Sequence, residues 1–354
     1  ENLGPYMIET FAYADKNFGK YPYPHYSIIQ GGDGGMEYPM ATLITGNRKL
    51  KSLVGVCVHE AMHSWYQGML ATNESLFAWM DEGFTSYASN RIEQQLFPED
   101  WTNAHESSYN RYKRIASSKY EEPLCTHADH FNTNWAYGTA SYSKGAVILD
   151  QLSHIVGQEI VDRSLLRYFK EWSFKHPNAS NFKRIVEKES GIELDWYFDY
   201  FVNTTKTIDY AISGISSTKN GSRITLTKGE MPMPIELEVT LVNGAIQKYY
   251  IPTVLMRGEK EIEATTKQLE DWAWTNQSYS IFLKNKSSEI VSVNLHPNNS
   301  IADIESLNDH LIIPTTWNWE KHDLKLKIEE KKHITGFFAG VRIEKVLSLI
   351  KIKK

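Results

Sequence analysis

Apolar residues recur at helical spacing from Leu3 to Asn17, and Tyr21-Pro22-Tyr23-Pro24 breaks that pattern before a β-rich run over residues 25–30. Gly31-Gly32-Asp33-Gly34-Gly35 follows. So many glycines favour backbone conformations closed to other residues, which predicts an irregular loop that something approaches closely. Residues 53–69 and 78–97 then read as two buried helices, the second stopped by Pro98. Further helical patterns cover 101–117, 142–156, 158–174, 181–189 and 194–203.

Beyond Thr207 the period changes from helical to alternating. Short β-branched runs occupy 212–217, 223–227, 235–242, 247–253, 280–283 and 291–295, and Lys219-Asn220-Gly221-Ser222 supplies a hairpin turn between the first two. Strands at this spacing predict a β-sandwich. The expected fold class is therefore α+β: a mainly helical domain over 1–205, a small β-sandwich over 206–310, and a lysine-rich tail over 311–354 with no clear period. No internal repeat is present.

Composition narrows the partners more than the fold. With 41% hydrophobic and 23% charged residues over 354 positions, the chain is that of a globular protein and not of a disordered one. A net charge of -5 with both signs interspersed gives no basic face for nucleic acid, and no apolar run has the length of a membrane span. Two cysteines, Cys57 and Cys125, cannot build a disulfide framework, and Cys57 sits in an apolar helical pattern that predicts a buried thiol. The chain starts at Glu1 with neither an initiator methionine nor a signal-peptide pattern, which fits a cut amino terminus.

The chemistry lies in the helix over 53–69. His59-Glu60-Ala61-Met62-His63 is an H-E-x-x-H pattern, and the i, i+4 spacing puts both imidazoles on one helix face, one turn apart, within reach of one metal. The flanks Leu53, Val54, Val56 and Val58 make the helix buried, where unpartnered histidines and a glutamate would be costly. A catalytic zinc needs a third protein ligand and one open position. Glu82, separated from His63 by eighteen residues and on the next predicted helix, is the candidate, because an antiparallel return would carry it to the metal. Glu60 lies too far round the helix to be a ligand, which leaves it as the base that deprotonates a metal-acidified water. His127, Asp129 and His130 are a tempting further set, but a fourth protein ligand would close the site, and residues so near each other on a loop more often satisfy one another.

The segment 59–84, H-E-x-x-H followed after eighteen residues by Glu in Trp79-Met80-Asp81-Glu82-Gly83-Phe84, resembles the gluzincin zinc aminopeptidases, the family of aminopeptidase N and the leukotriene epoxide hydrolase/aminopeptidase. Gly34-Gly35-Met36-Glu37-Tyr38 is similar to the family's G-x-M-E-N motif, with Tyr38 in place of the usual asparagine. Ser141-Tyr142-Ser143-Lys144-Gly145, at the start of an apolar helix, resembles its Y-x-K-G motif. Tyr137 competes for the same role but lacks the Lys-Gly that follows Tyr142.

The resemblance implies a thermolysin-like catalytic domain over 1–205 and one zinc ion held by His59, His63 and Glu82. Glu37 would bind the free α-amino group of a peptide, Tyr142 would donate to the oxyanion, and the backbone around Gly34, Gly35 and Met36 would take the extended peptide by strand addition. The implied reaction is hydrolysis of the amino-terminal peptide bond, with Glu60 as general base. Epoxide hydrolysis on the same zinc and a catalytically impaired binding scaffold are the alternatives. The family's amino-terminal β domain and the first strands of the catalytic sheet are expected to lie outside this chain, and the resemblance inclines its location to a bacterial envelope or a secreted protein.

Overall fold

A computed structural model describes residues 3–32, 34–100, 103–297 and 301–313, together with the backbone of 324–325. The chain divides into two compact units, Glu1–Lys206 with Leu255–Glu261, and Thr207–Val254 with Ile262–Lys354. Helices dominate the first and strands the second, an α+β composition.

In the first unit α1 (Leu3–Asn17) is amphipathic, and its buried positions Met7, Thr10 and Ala14 fall on one face. That face lies on β1 (Ser27–Gln30), β3 (Ala41–Ile44) and α2 (Leu50–His63) through a core of Met7, Ile44, Cys57 and Ala61. Cys57 is thus a buried free thiol, whereas Cys125 is exposed. β2 (Gly35–Tyr38) completes a three-stranded sheet of order β1-β3-β2, with β1 parallel and β2 antiparallel to β3. This overturns the loop expected for Gly35. Its residue pairs with Ile44, and a Cβ there would run into the Glu60 carboxylate and Val56, so glycine serves a close packing contact and not a turn. Two of the three strands, β2 and β3, escape the sequence reading, β2 because it opens on the glycine cluster and β3 because Pro39 marks a turn just before it.

α2 begins three residues earlier than the apolar pattern suggests and continues past His63 as a π-helical turn over Ser64–Met69, marked by Leu70 N–H to Trp65 C=O at 3.0 Å. A second π turn, Trp79–Gly83, leads into α3 (Phe84–Leu96). α4 (Glu106–Ala116) starts later than expected, since the Asn103 side chain accepts from His105 N–H and holds a turn before it; residues 101 and 102 lie outside the described residues. The helix expected over 142–156 starts much earlier. α5 (Asn134–Gly138), capped by Thr133, runs through a third π turn, Thr139–Lys144, into α6 (Gly145–Val156). Tyr142 therefore sits inside a continuous helical rod and not at a helix start. α7 (Gln158–Trp172), α8 (Ala179–Ser190) and α9 (Asp195–Asn203) finish the helical run, α7 stopping short of Phe174, whose φ of 63° a helix cannot accept.

In the second unit β4 (Tyr210–Thr218), β5 (Gly221–Lys228), β9 (Ser278–Leu283) and β12 (Leu324–Lys325) form one sheet, ordered β12-β4-β5-β9. β6 (Ile235–Leu241), β7 (Ile246–Ile251), β8 (Thr266–Gln268), β10 (Ile290–Leu295) and β11 (His310–Ile312) form the other, ordered β11-β10-β6-β7-β8. Buried and half-buried residues alternate strictly along β6, as a sheet with one face in the core requires. Most of the tail over 311–354 lies outside the described residues. No helix among the described residues is long and apolar enough to cross a membrane.

Candidate metal centre and its cavity

α2 delivers His59 and His63 one turn apart, and the π turn over 79–83 delivers Glu82 opposite them. His59 Nε2 and His63 Nε2 are 3.3 Å apart, and Glu82 Oε2 lies 3.1 Å from the first and 3.2 Å from the second. Four-coordinate zinc with bonds of about 2.05 Å has donor-to-donor edges of about 3.3 Å, so the three atoms form one face of such a tetrahedron. Two imidazoles and a carboxylate are a donor set that zinc accepts. Three side chains from two segments thus fit a single cation.

The ligands are themselves held. Asp81 Oδ1 is 2.6 Å from His63 Nδ1, the two side chains being 4% and 1% exposed, which fixes the imidazole with Nε2 turned to the cluster. Burial lowers the affinity of His63 for a proton, but the Asp81 and Glu82 carboxylates outweigh it and raise its pKa well above the usual value. Burial likewise acts to raise Glu82, yet hydrogen bonds with His59 and His63 bring it down to about 2. Tyr142 Oη donates to Glu82 Oε1 at 2.5 Å, and its ring stacks at 5.7 Å on that of His59. Burial, then the Glu82 charge, raises the Tyr142 phenol, so it stays a proton donor.

Glu60 is 6% exposed on the same helix, and burial pushes its carboxyl up to about 7 against the lowering effect of His59 and His63. Glu37, on β2, has a carboxylate oxygen within 4.8 Å of ligand atoms of both Glu60 and His63. Gly35, Met36, Glu37, Glu60 and Tyr142 all line one cavity of about 360 Å³ with the two histidines and Glu82. Gly34 is exposed just outside it, its carbonyl accepting from Arg48 Nη2 at 2.7 Å.

Sequence reasoning gave no role to Asp81 or Glu74, both of which line the cavity with carboxylates close to that of Glu37. Asp81 stands beside Glu82 in the motif, but only the ring orientation of His63 reveals what it does. Tyr137 does reach the cavity. The 127–130 loop contributes Ala128, while His127, Asp129 and His130 are absent from the lining; His127 Nδ1 accepts from Asp129 N–H at 3.1 Å, so these residues satisfy one another.

Against known proteins, 218 residues are 32% identical to aminopeptidase B of Rattus norvegicus, covering 56% of this chain and 31% of that protein. Leukotriene A-4 hydrolase of Xenopus laevis is 25% identical over 273 residues, 73% of this chain and 40% of that protein. The crystal structure of Legionella pneumophila aminopeptidase A in complex with aspartic acid has a similar fold, with a TM-score of 0.60 at 13% identity over 85% of this chain and 34% of that one. The chain spans about a third of the length of the curated relatives it matches. Residues 6–201, which include every residue of the metal cluster and its cavity, match the Peptidase family M1 domain. The chain belongs to peptidase family M1.

Proposed function

We propose that this chain carries the active site of a zinc aminopeptidase that hydrolyses the amino-terminal bond of peptides. The observation that carries the reading is the cavity in which the His59–His63–Glu82 donor triangle, Glu60 and Glu37 converge. When bound, zinc supplies Lewis-acid polarisation of the scissile carbonyl and acidifies a water. Glu60, whose carboxylate is kept basic by burial, takes the proton of that water and returns it to the leaving amine. Tyr142 directs its O–H at the rim of the donor triangle, where it can turn from Glu82 to the developing oxyanion.

Glu37 pairs with the substrate ammonium. Because its carboxylate lies so near Glu60, only a chain end one residue from the scissile carbonyl fits. β2 is an edge strand, and its outer edge at Gly35 and Met36, with Gly34 leading into it, is where an extended peptide adds. Five carboxylates line the cavity, which supports a cationic chain end over a lipid epoxide. Intact ligands and base argue equally against a non-catalytic scaffold. In this reading the first unit is a thermolysin-like domain and the two sheets of the second form a β-sandwich that takes in β11 and β12, so the expected bounds of 1–205 and 206–310 hold for the start of the sandwich and not for its end. Zinc content and turnover of aminoacyl-arylamides by the purified chain test the proposal. One zinc per chain with chelator-sensitive turnover of free-amine but not amine-acetylated substrates supports it, and failure to bind zinc sinks it.

A further inference from the structure

We infer that Lys144 and Gly145, the two residues that close the turn bearing Tyr142, are positioning residues that set the Tyr142 hydroxyl against Glu82. The inference rests on the catalytic role proposed for Tyr142. Lys144 is 1% exposed, an unusual place for an ammonium group. Its Nζ lies 2.8 Å from Glu121 Oε1 and 3.2 Å from the Thr204 carbonyl at the carboxyl end of α9. The rings of Tyr112 and Phe201 enclose it at 5.6 and 5.4 Å. Taking both charges out of water costs about what their attraction returns, so such a pair adds little stability over apolar residues of the same shape. What it does fix is place. The π turn over Thr139–Lys144 is tied at its last residue to two separate segments of the helical unit.

Gly145 fixes the other side. Its backbone is ordinary right-handed helix, φ -60° and ψ -39°, as is that of Gly83 at φ -72° and ψ -44°. Alanine is intrinsically the better residue in that conformation, so conformational need explains neither glycine. Contact does. A Cβ on Gly83 would meet Gly145 Cα at 2.6 Å, and one on Gly145 would meet Gly83 Cα at 2.8 Å and Trp79 C=O at 3.1 Å. Two backbones touch where the metal-ligand turn crosses the tyrosine turn. Gly83 directly follows Glu82, and the crossing brings Tyr142 Oη within 2.5 Å of Glu82 Oε1. Lys144 pins the tyrosine turn from outside, and the glycine pair sets how near it comes to the ligand. The Lys-Gly that distinguishes Tyr142 from Tyr137 in the sequence thereby acquires a physical role.

The test uses Lys144→Met with Glu121→Gln, which removes the ion pair without stranding a buried charge, and separately Gly145→Ala. Each is made in the native and the Tyr142→Phe backgrounds, and each native-background protein is also prepared with 3-fluorotyrosine at position 142 for 19F NMR of the metal-free chain. The expected result is a fall in kcat of roughly a hundredfold, the cost of an ångström-scale misplacement, with KM and zinc content unchanged. No further fall is expected in the Tyr142→Phe background, and the position-142 19F resonance should shift or broaden. A folded, zinc-binding Lys144→Met/Glu121→Gln protein with native kcat and an unmoved resonance overturns the inference. So does a loss that multiplies in full with that of Tyr142→Phe. If Gly145→Ala does not fold, the ion-pair variant decides alone. If the native chain turns over no substrate, the proposed activity fails, and the 19F shift still decides whether these residues place Tyr142.

Discussion

At the metal end of the cavity His63 is 1% exposed and has partners on both ring nitrogens, whereas at the amine end Met36 and Tyr38 are 40% and 51% exposed on an edge strand. The two histidines, Glu82 and Glu60 come from helical segments; Glu37 comes from a four-residue strand that pairs with β3 and has its other edge open. The two ends answer different needs. A metal site requires three atoms fixed to a few tenths of an ångström before anything binds, while a site for a chain end must leave one side open for a peptide to enter. Catalytic power is therefore expected to be lost at the buried end and substrate affinity at the open end.

Removing the base should cost most. Glu60→Gln, with zinc content unchanged, is expected to lower kcat roughly a hundredfold to ten-thousandfold, and full turnover would remove Glu60 from the mechanism. Tyr142→Phe should follow at roughly a hundredfold to a thousandfold in kcat with little change in KM. Asp81→Asn keeps the shape of the His63 partner but not its charge, and zinc competition titrations should find affinity down roughly tenfold to a hundredfold. At the open end, Glu37→Gln removes a charge-assisted hydrogen bond worth about 2 kcal/mol, roughly thirtyfold in kcat/KM, carried mainly by KM. An effect of that variant on kcat alone would erase the contrast between the ends.

The smallest effect links them. In the proposed mechanism Glu60 acts as a base, so activity falls as pH drops through its pKa; the neighbouring charge of Glu37 raises that pKa, and a bound cation lowers it. The acid limb of kcat for the native chain should lie below pH 7, and Glu37→Gln should move it to lower pH by a fraction of a unit. A limb that stays put would mean that the two carboxylates do not sense one another.

The buried end was the more legible in the sequence. H-E-x-x-H is a local pattern on one helix, and a helix fixes the relation of i and i+4 whatever surrounds it. Glu82 could be found because one short return sufficed to reach the metal. The support around these residues was not legible, because it is non-local: Asp81 finds His63 only when two helices face each other, and Gly83 finds Gly145 across sixty residues of chain. The π turns left no trace either, since one extra residue in a helical turn barely alters an apolar pattern. At the open end the glycines of 31–35 suggested a loop, when the need of Gly35 for space against Glu60 was what mattered. β3, a four-residue run between a turn and a loop, is too short to show a period of its own.

Gly35 and Glu37 stand two positions apart on β2, both half-buried, on the same face of the strand. One of them abuts the Glu60 carboxylate, and the other carries the proposed anchor for a substrate's charged end. The interval between the point of cleavage and the point of anchorage is then set by a single strand repeat, about 7 Å. β2 works as a ruler with one graduation. Any insertion between positions 35 and 37 would lengthen it, and a peptidase working by the proposed mechanism would count residues from the chain end differently.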